Sequence, residues 1–120
     1  YCSAMGRAML AYMPQAEVEK VLRASELQKL TPETKIDLRE INQELIHTRQ
    51  KGYCILFDEL AESKSSLAAP IFDRNRNPIA AISVSASAQS LSQPQREREL
   101  AKAVMTAAGK ISGKLGYYPK

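Results

Sequence analysis

Two apolar runs, at 67–72 and 78–86, stand on either side of the pentapeptide Asp73, Arg74, Asn75, Arg76 and Asn77. Asn and Asp tolerate the backbone conformations that reverse a chain, and two short apolar stretches flanking such a turn pair with each other before anything else. The segment predicts an antiparallel hairpin. A hairpin is marginal in water on its own, so the chain must supply a further strand or packed helices to bury its apolar face.

The rest of the sequence supplies both. Before Gly52 the apolar spacing is helical, and after it residues 53–59 read as a strand that leads into an acidic, serine-rich stretch at 58–66. Ser3 is placed to cap a first helix carrying Ala4, Ala8, Ala11 and Tyr12, with Met5 and Met9 four apart. Pro14 suits the first position of a second helix that runs to about Ala24 with Val18, Val21 and Leu22 on one face. Leu27 and Leu30 fall in a connecting loop, and Thr31 to Thr34 carry turn chemistry.

Asp37 with Glu40 has the spacing of a capping box for a third helix, with Leu38, Ile41, Leu45 and Thr48 as its inner stripe. Arg49 and Lys51 followed by Gly52 are what a helix C-terminus favours, so that helix is expected to stop at Lys51. After the hairpin, Ser92, Pro94 and Gln95 read as the cap and first turn of a long terminal helix. Its inward face would hold Leu100, Val104, Ala108, Ile111 and Leu115, and Gly116 would end it.

The expected fold class is therefore α+β, an antiparallel sheet flanked by helices in one domain. Aromatic residues make up only 6% of the chain and there is no Trp, so the core rests on aliphatic residues, Met and Ala and is thin. Three strands among four helices leave an edge or a face without cover, and additional N-terminal strands are expected in the native polypeptide.

The net charge is +4, yet Glu17, Glu19, Lys20, Arg23, Glu26 and Lys29 show how the signs interleave. No like-charge block reaches the length of a nucleic-acid-binding tail, so direct DNA contact by this segment is not expected. No apolar run approaches membrane-spanning length and no basic leader precedes one, which leads to the expectation of a cytoplasmic protein without a membrane partner.

Cys2 and Cys54 stand far apart with no CxxC and one histidine in the chain, so neither a metal site nor a redox pair has its ligands, and no cofactor is expected. The common hydrolase, phosphate-loop, dinucleotide and zinc-protease motifs are absent, and no catalytic residue is expected. His47 sits near the end of the third helix, where an imidazolium suits the helix terminus better than it suits a general base. A hydrolase built on Cys2 or Cys54 would need His47 as its base.

Two features remain. Ser3, Ala4, Met5 and Gly6 form the first turn of a helix, where unpaired backbone N–H groups and a glycine would admit an anion. Equally, Ser3 would simply cap the helix and Gly6 would permit close packing. Ser83 and Ser85 emerge on one face of one strand and are either ordinary solvent-facing residues or inward donors in need of partners. Ser65 and Ser66, read as loop residues before the second strand, would add further hydroxyls.

In order, these segments resemble the effector-binding domain of IclR-type bacterial transcription regulators. Residues 3–14 are similar to that family's Ala-x-Gly-Lys/Arg-Ala-x-Leu-Ala helix, and Thr31 and Thr34 to its paired threonines. Leu38 through Tyr53 resembles its helix ending in Arg-x-x-Gly-Tyr, residues 67–73 and 78–85 its paired strands, and residues 111–116 its terminal helix. The opening looks most like the branch that governs breakdown of aromatic acids such as protocatechuate and 4-hydroxybenzoate.

The resemblance implies a GAF-like fold that holds a small carboxylate effector, acts as a homodimer or tetramer, and reaches DNA only through a separate N-terminal winged helix-turn-helix domain outside this chain. It implies a pocket walled by Ala4, Met5 and Gly6, by Leu56 and Ser66, and by Ser83 and Ser85. One stretch departs from the family pattern: where an acidic residue, a glycine, an apolar residue and an arginine are usual, the chain reads Glu62, Ser63, Lys64, Ser65. Lys64 there is either a cation for an anionic effector or a solvated loop residue. The competing reading is a GAF-like oligomerisation module without a functional pocket.

Overall fold

A computed structural model describes residues 3–24, 37–57 and 64–117. Among the described residues, five helices and three strands follow one another as α1 (Ala4–Leu10), α2 (Gln15–Ala24), α3 (Leu38–Lys51), β1 (Cys54–Phe57), β2 (Lys64–Phe72), β3 (Pro78–Ser87), α4 (Ala88–Leu91) and α5 (Pro94–Lys114). The strands form one antiparallel sheet in the order β1-β2-β3.

The predicted hairpin is β2–β3. Asp73 organises its turn: one carboxylate oxygen accepts from the backbone N–H groups of Asn75 at 2.8 Å and Asn77 at 3.0 Å. Its main chain also exchanges bonds with Arg76 and Asn77, and Arg76 takes a positive φ of 65°. The strands are longer than the apolar runs. Lys64, Ser65 and Ser66 belong to β2 rather than to a preceding loop, because the ladder continues through Lys64↔Ser87, Ser65↔Ala86 and Ser66↔Ser85. Their polarity disguised them, yet the Ser65 hydroxyl is satisfied across the ladder by donating to the Ala86 carbonyl at 3.0 Å.

Alternate residues of β2 face two different cores. Leu67, Ala69 and Ile71 pack with Tyr53, Leu91 and the α5 residues Ala101, Val104 and Ala108. Ala68, with Cys54 and Leu56 of β1, packs under Ala4 and Ala8 of α1. β2 is thus covered on both faces, and it reads as a nearly continuous apolar run where both sides are buried. Leu10 and Ala11 at the far end of α1 join Val18 and Leu22 of α2 and Ile41 and Leu45 of α3 in a third, all-helical cluster.

The α3 boundaries match the sequence reading. The Asp37 carboxylate accepts from the Arg39 N–H at 2.8 Å, and Gly52 closes the helix at φ 91°, a conformation that costs any residue with a Cβ. Ile41, Leu45 and Thr48 face inward while Leu38, in the first turn, is exposed.

The start of the terminal helix differs from expectation. Ser92 does not cap it; the Ser92 hydroxyl turns back to donate to the Gln89 carbonyl at 2.8 Å and closes the short α4, which Ser87 opens. Gln93 stands at the α5 N-cap without a side-chain bond, and Pro94 follows. The buried face of α5 is Ala101, Val104, Ala108 and Ser112, whereas Ile111 and Leu115 are exposed. Ser112 is drawn inward because its hydroxyl accepts the Phe72 N–H at 2.9 Å, where a register shift between Ile71 and Phe72 interrupts the ladder.

Candidate functional site

The first turn of α1 is set by Ser3, whose hydroxyl accepts the Gly6 N–H at 3.0 Å. Its carbonyl accepts the Arg7 N–H, so the helix begins with one of its free N-terminal donors already engaged. Ala4 and Ala8, 3% and 0% exposed, bring the helix axis close to the sheet because alanine is the smallest side chain a helix favours.

Beneath α1 the strand register lays out two rows. Leu56, Ser66 and Ser85 are paired in line across β1, β2 and β3, and Cys54, Ala68 and Ser83 form the next row on the same face. The Ser66 and Ser85 hydroxyls lie 3.2 Å apart and hydrogen-bond each other. α1 packs against all three strands, so its opening turn and the three serines share one face of the sheet.

Five of the seven expected positions, Ala4, Leu56, Ser66, Ser83 and Ser85, therefore share this face. Ala4 and Leu56 are buried packing residues, Ser66 and Ser83 are half-buried and Ser85 is exposed. Gly6 is half-buried in the first turn, and Met5 is 46% exposed beside it. Among the described residues, a cleft of about 630 Å³ lies elsewhere, between α1, α2, α3 and the hairpin turn, and another of about 180 Å³ lies beside Phe72 and Tyr117. Neither is lined by any of the seven.

Sequence reasoning did not single out Arg7, which is completely buried in α1. Its position inside an alanine-rich helix was the available signal, since a cation between Gly6 and Ala8 points toward the sheet face if Ala4 and Ala8 do. Arg7 lies within electrostatic reach of Cys54: burial pushes the Cys54 thiol up, and the Thr48 hydroxyl and the Arg7 charge pull it back less strongly. Cys54 is thus a protonated, packed thiol at neutral pH. His47 is exposed on α3 and is not among the groups that shift it. Cys2, Thr31, Thr34, and Glu62 and Ser63 of the atypical stretch lie outside the described residues; Lys64, at the start of β2, is exposed. Among the described residues no three His, Cys, Asp or Glu side chains converge on one point, and no helix is long and apolar enough to cross a membrane.

This architecture is that of the C-terminal module of a class of bacterial transcription regulators. Residues 1–113 match the family described as bacterial transcriptional regulator IclR C-terminal, and the chain belongs to that family. It is 31% identical to the HTH-type transcriptional regulator KipR of Bacillus subtilis over 98% of its own length and 46% of that protein. It is 32% identical to the transcriptional repressor IclR of Escherichia coli over 93% of its own length and 40% of that protein.

Among solved structures, the Thermotoga maritima IclR superposes with a TM-score of 0.93 at 32% identity, covering 98% of this chain and 47% of that one. The C-terminal domain of E. coli KdgR superposes with 0.91, also at 32% identity, covering 98% and 71%. The chain spans less than half the length of the curated relatives KipR and IclR. It is 27% identical to the Pca regulon regulatory protein of Pseudomonas putida, over 90% of this chain and 37% of that protein.

Proposed function

We propose that this chain is the greater part of the effector-sensing domain of a cytoplasmic IclR-type transcription regulator, binding a small carboxylate at the seam between α1 and the serine rows. The observation that carries this reading is the shared face: the first turn of α1 stands over the same side of the sheet as Ser66, Ser83 and Ser85. A helix N-terminus favours an anion, and three hydroxyls supply donors for its oxygens.

Bound effector would shift the population between two arrangements of a homodimer or tetramer, and a separate winged helix-turn-helix domain would convert that shift into altered DNA affinity. Such coupling needs only a ligand that prefers one arrangement. No covalent step is involved.

Calorimetric titration with a panel of aromatic and short aliphatic acids is expected to find one that binds. Ser83→Ala should weaken it about tenfold, the loss expected for one hydrogen bond to a charged group. Absence of binding across the panel overturns the proposal. The mutual Ser66–Ser85 bond favours a second reading, in which these hydroxyls satisfy each other and the domain serves only oligomerisation. In that case Ser83→Ala and Ser85→Ala leave every titration flat and unchanged.

A further inference from the structure

The open cleft of about 630 Å³ belongs to none of the surfaces discussed above and falls within the size range of small-molecule sites. Its floor is apolar: Leu10 and Ala11 at the end of α1, Val18 of α2 and Leu45 of α3. Those four side chains are held in place as members of the helical cluster, each no more than 6% exposed. The floor is therefore preformed.

The polar groups at the wall are one cation and a few neutral groups. Arg49 stands at the cleft with its guanidinium 5.8 Å from the centre of the Tyr12 ring, and the Tyr12 hydroxyl donates to the Arg49 carbonyl at 3.3 Å. This brace fixes the end of α3 against the end of α1 and leaves the charged tip of Arg49, an exposed residue, at the rim. The amides of half-buried Asn42, exposed Asn77 and exposed Gln15 approach from α3, from the hairpin turn and from the start of α2. Among the described residues no Asp or Glu lines the cleft, and Arg49 is the cation of its wall.

An apolar floor, an aromatic wall, three amides and one cation match a ligand with an apolar body and one negative group. We infer that this cleft is a second small-molecule site, separate from the sheet-face seam, that takes an amphipathic organic anion. Arginine offers its fork to a carboxylate or sulfonate, and the floor accepts the hydrocarbon. Because one wall is the α1–α2 corner, an occupant here would touch the same helix whose other end stands over the serine rows.

The test is a titration of the intact polypeptide with 2-naphthoate and with its neutral counterpart 2-naphthamide, comparing wild type, Arg49→Ala, Arg49→Lys, Asn42→Trp and Ser83→Ala. Binding of 2-naphthoate should fall roughly two- to fivefold in Arg49→Ala, the effect of one exposed charge pair, and hold in Arg49→Lys. It should be abolished in Asn42→Trp, whose indole fills the cleft, and be unchanged in Ser83→Ala; 2-naphthamide should bind more weakly than 2-naphthoate. Circular dichroism of each variant shows whether it is folded, and Arg49→Ala, at an exposed position, serves where Asn42→Trp does not fold. Equal binding of acid and amide, indifference to both Arg49→Ala and Asn42→Trp, or loss in Ser83→Ala would overturn the inference.

Discussion

Tyr53 shows how one side chain ties sequence-distant elements. It is 9% exposed, just ahead of β1, and its hydroxyl donates to Glu97 Oε2 of α5 at 2.5 Å. Burial first, then the hydrogen bond and negative charge of Glu97, push the Tyr53 phenol up to about 12 from 10.0. A phenol whose folded value lies above its unfolded one favours folding while it stays neutral. The contribution is intact below about pH 10 and is lost as pH rises toward 12. Urea unfolding of wild type and Tyr53→Phe at pH 8 and pH 11 should therefore show a gap in midpoint that narrows at the higher pH. A gap independent of pH would mean that the phenol is uncoupled from folding.

At the scale of the element, α5 is defined by a residue that periodicity overlooks. Ser112 is 2% exposed because its hydroxyl satisfies the Phe72 N–H that the register shift removes from the ladder. Ser112→Ala leaves that half-buried donor without its side-chain partner and should cost about 1 kcal/mol in denaturant unfolding, whereas Ser92→Ala, at an exposed helix end, should cost less. Equal effects would remove Ser112 from its structural role. The same contrast explains what could be read from the chain. Asp37 and Gly52 marked α3 correctly because caps are local chemistry, and the Asp73 turn marked its hairpin for the same reason. Ser65, Ser66 and Ser112 were misplaced or missed because their partners are set by strand register and helix docking, which leave no pattern along the sequence. Ser92 was misread because a four-residue helix, too short for any periodic signal, lies directly before it. Of the candidate site, the common face of Ser83 and Ser85 followed from the two-residue strand repeat. The alignment of Ser66 with Ser85 did not, since it depends on the register of a partner strand.

For the whole molecule the governing fact is that the sheet is clad differently on its two faces. α5 covers one with Ala101, Val104 and Ala108; α1 covers the other through Ala4 and Ala8, and only that side carries Ser66, Ser83 and Ser85. Small residues at both contacts set the helix-to-sheet distance, so enlarging either should strain the packing by a similar amount, about 1–3 kcal/mol. Ala8→Leu and Ala108→Leu are thus matched perturbations on opposite sides of one sheet. Both should lower the unfolding midpoint, but only Ala8→Leu changes the distance between the first turn of α1 and the serine rows. A carboxylate held at that seam will bind Ala108→Leu as it binds wild type and bind Ala8→Leu more weakly, as measured by calorimetry on the folded proteins. If the two variants bind alike, the seam is not where the anion sits, because only one of the two faces has been moved.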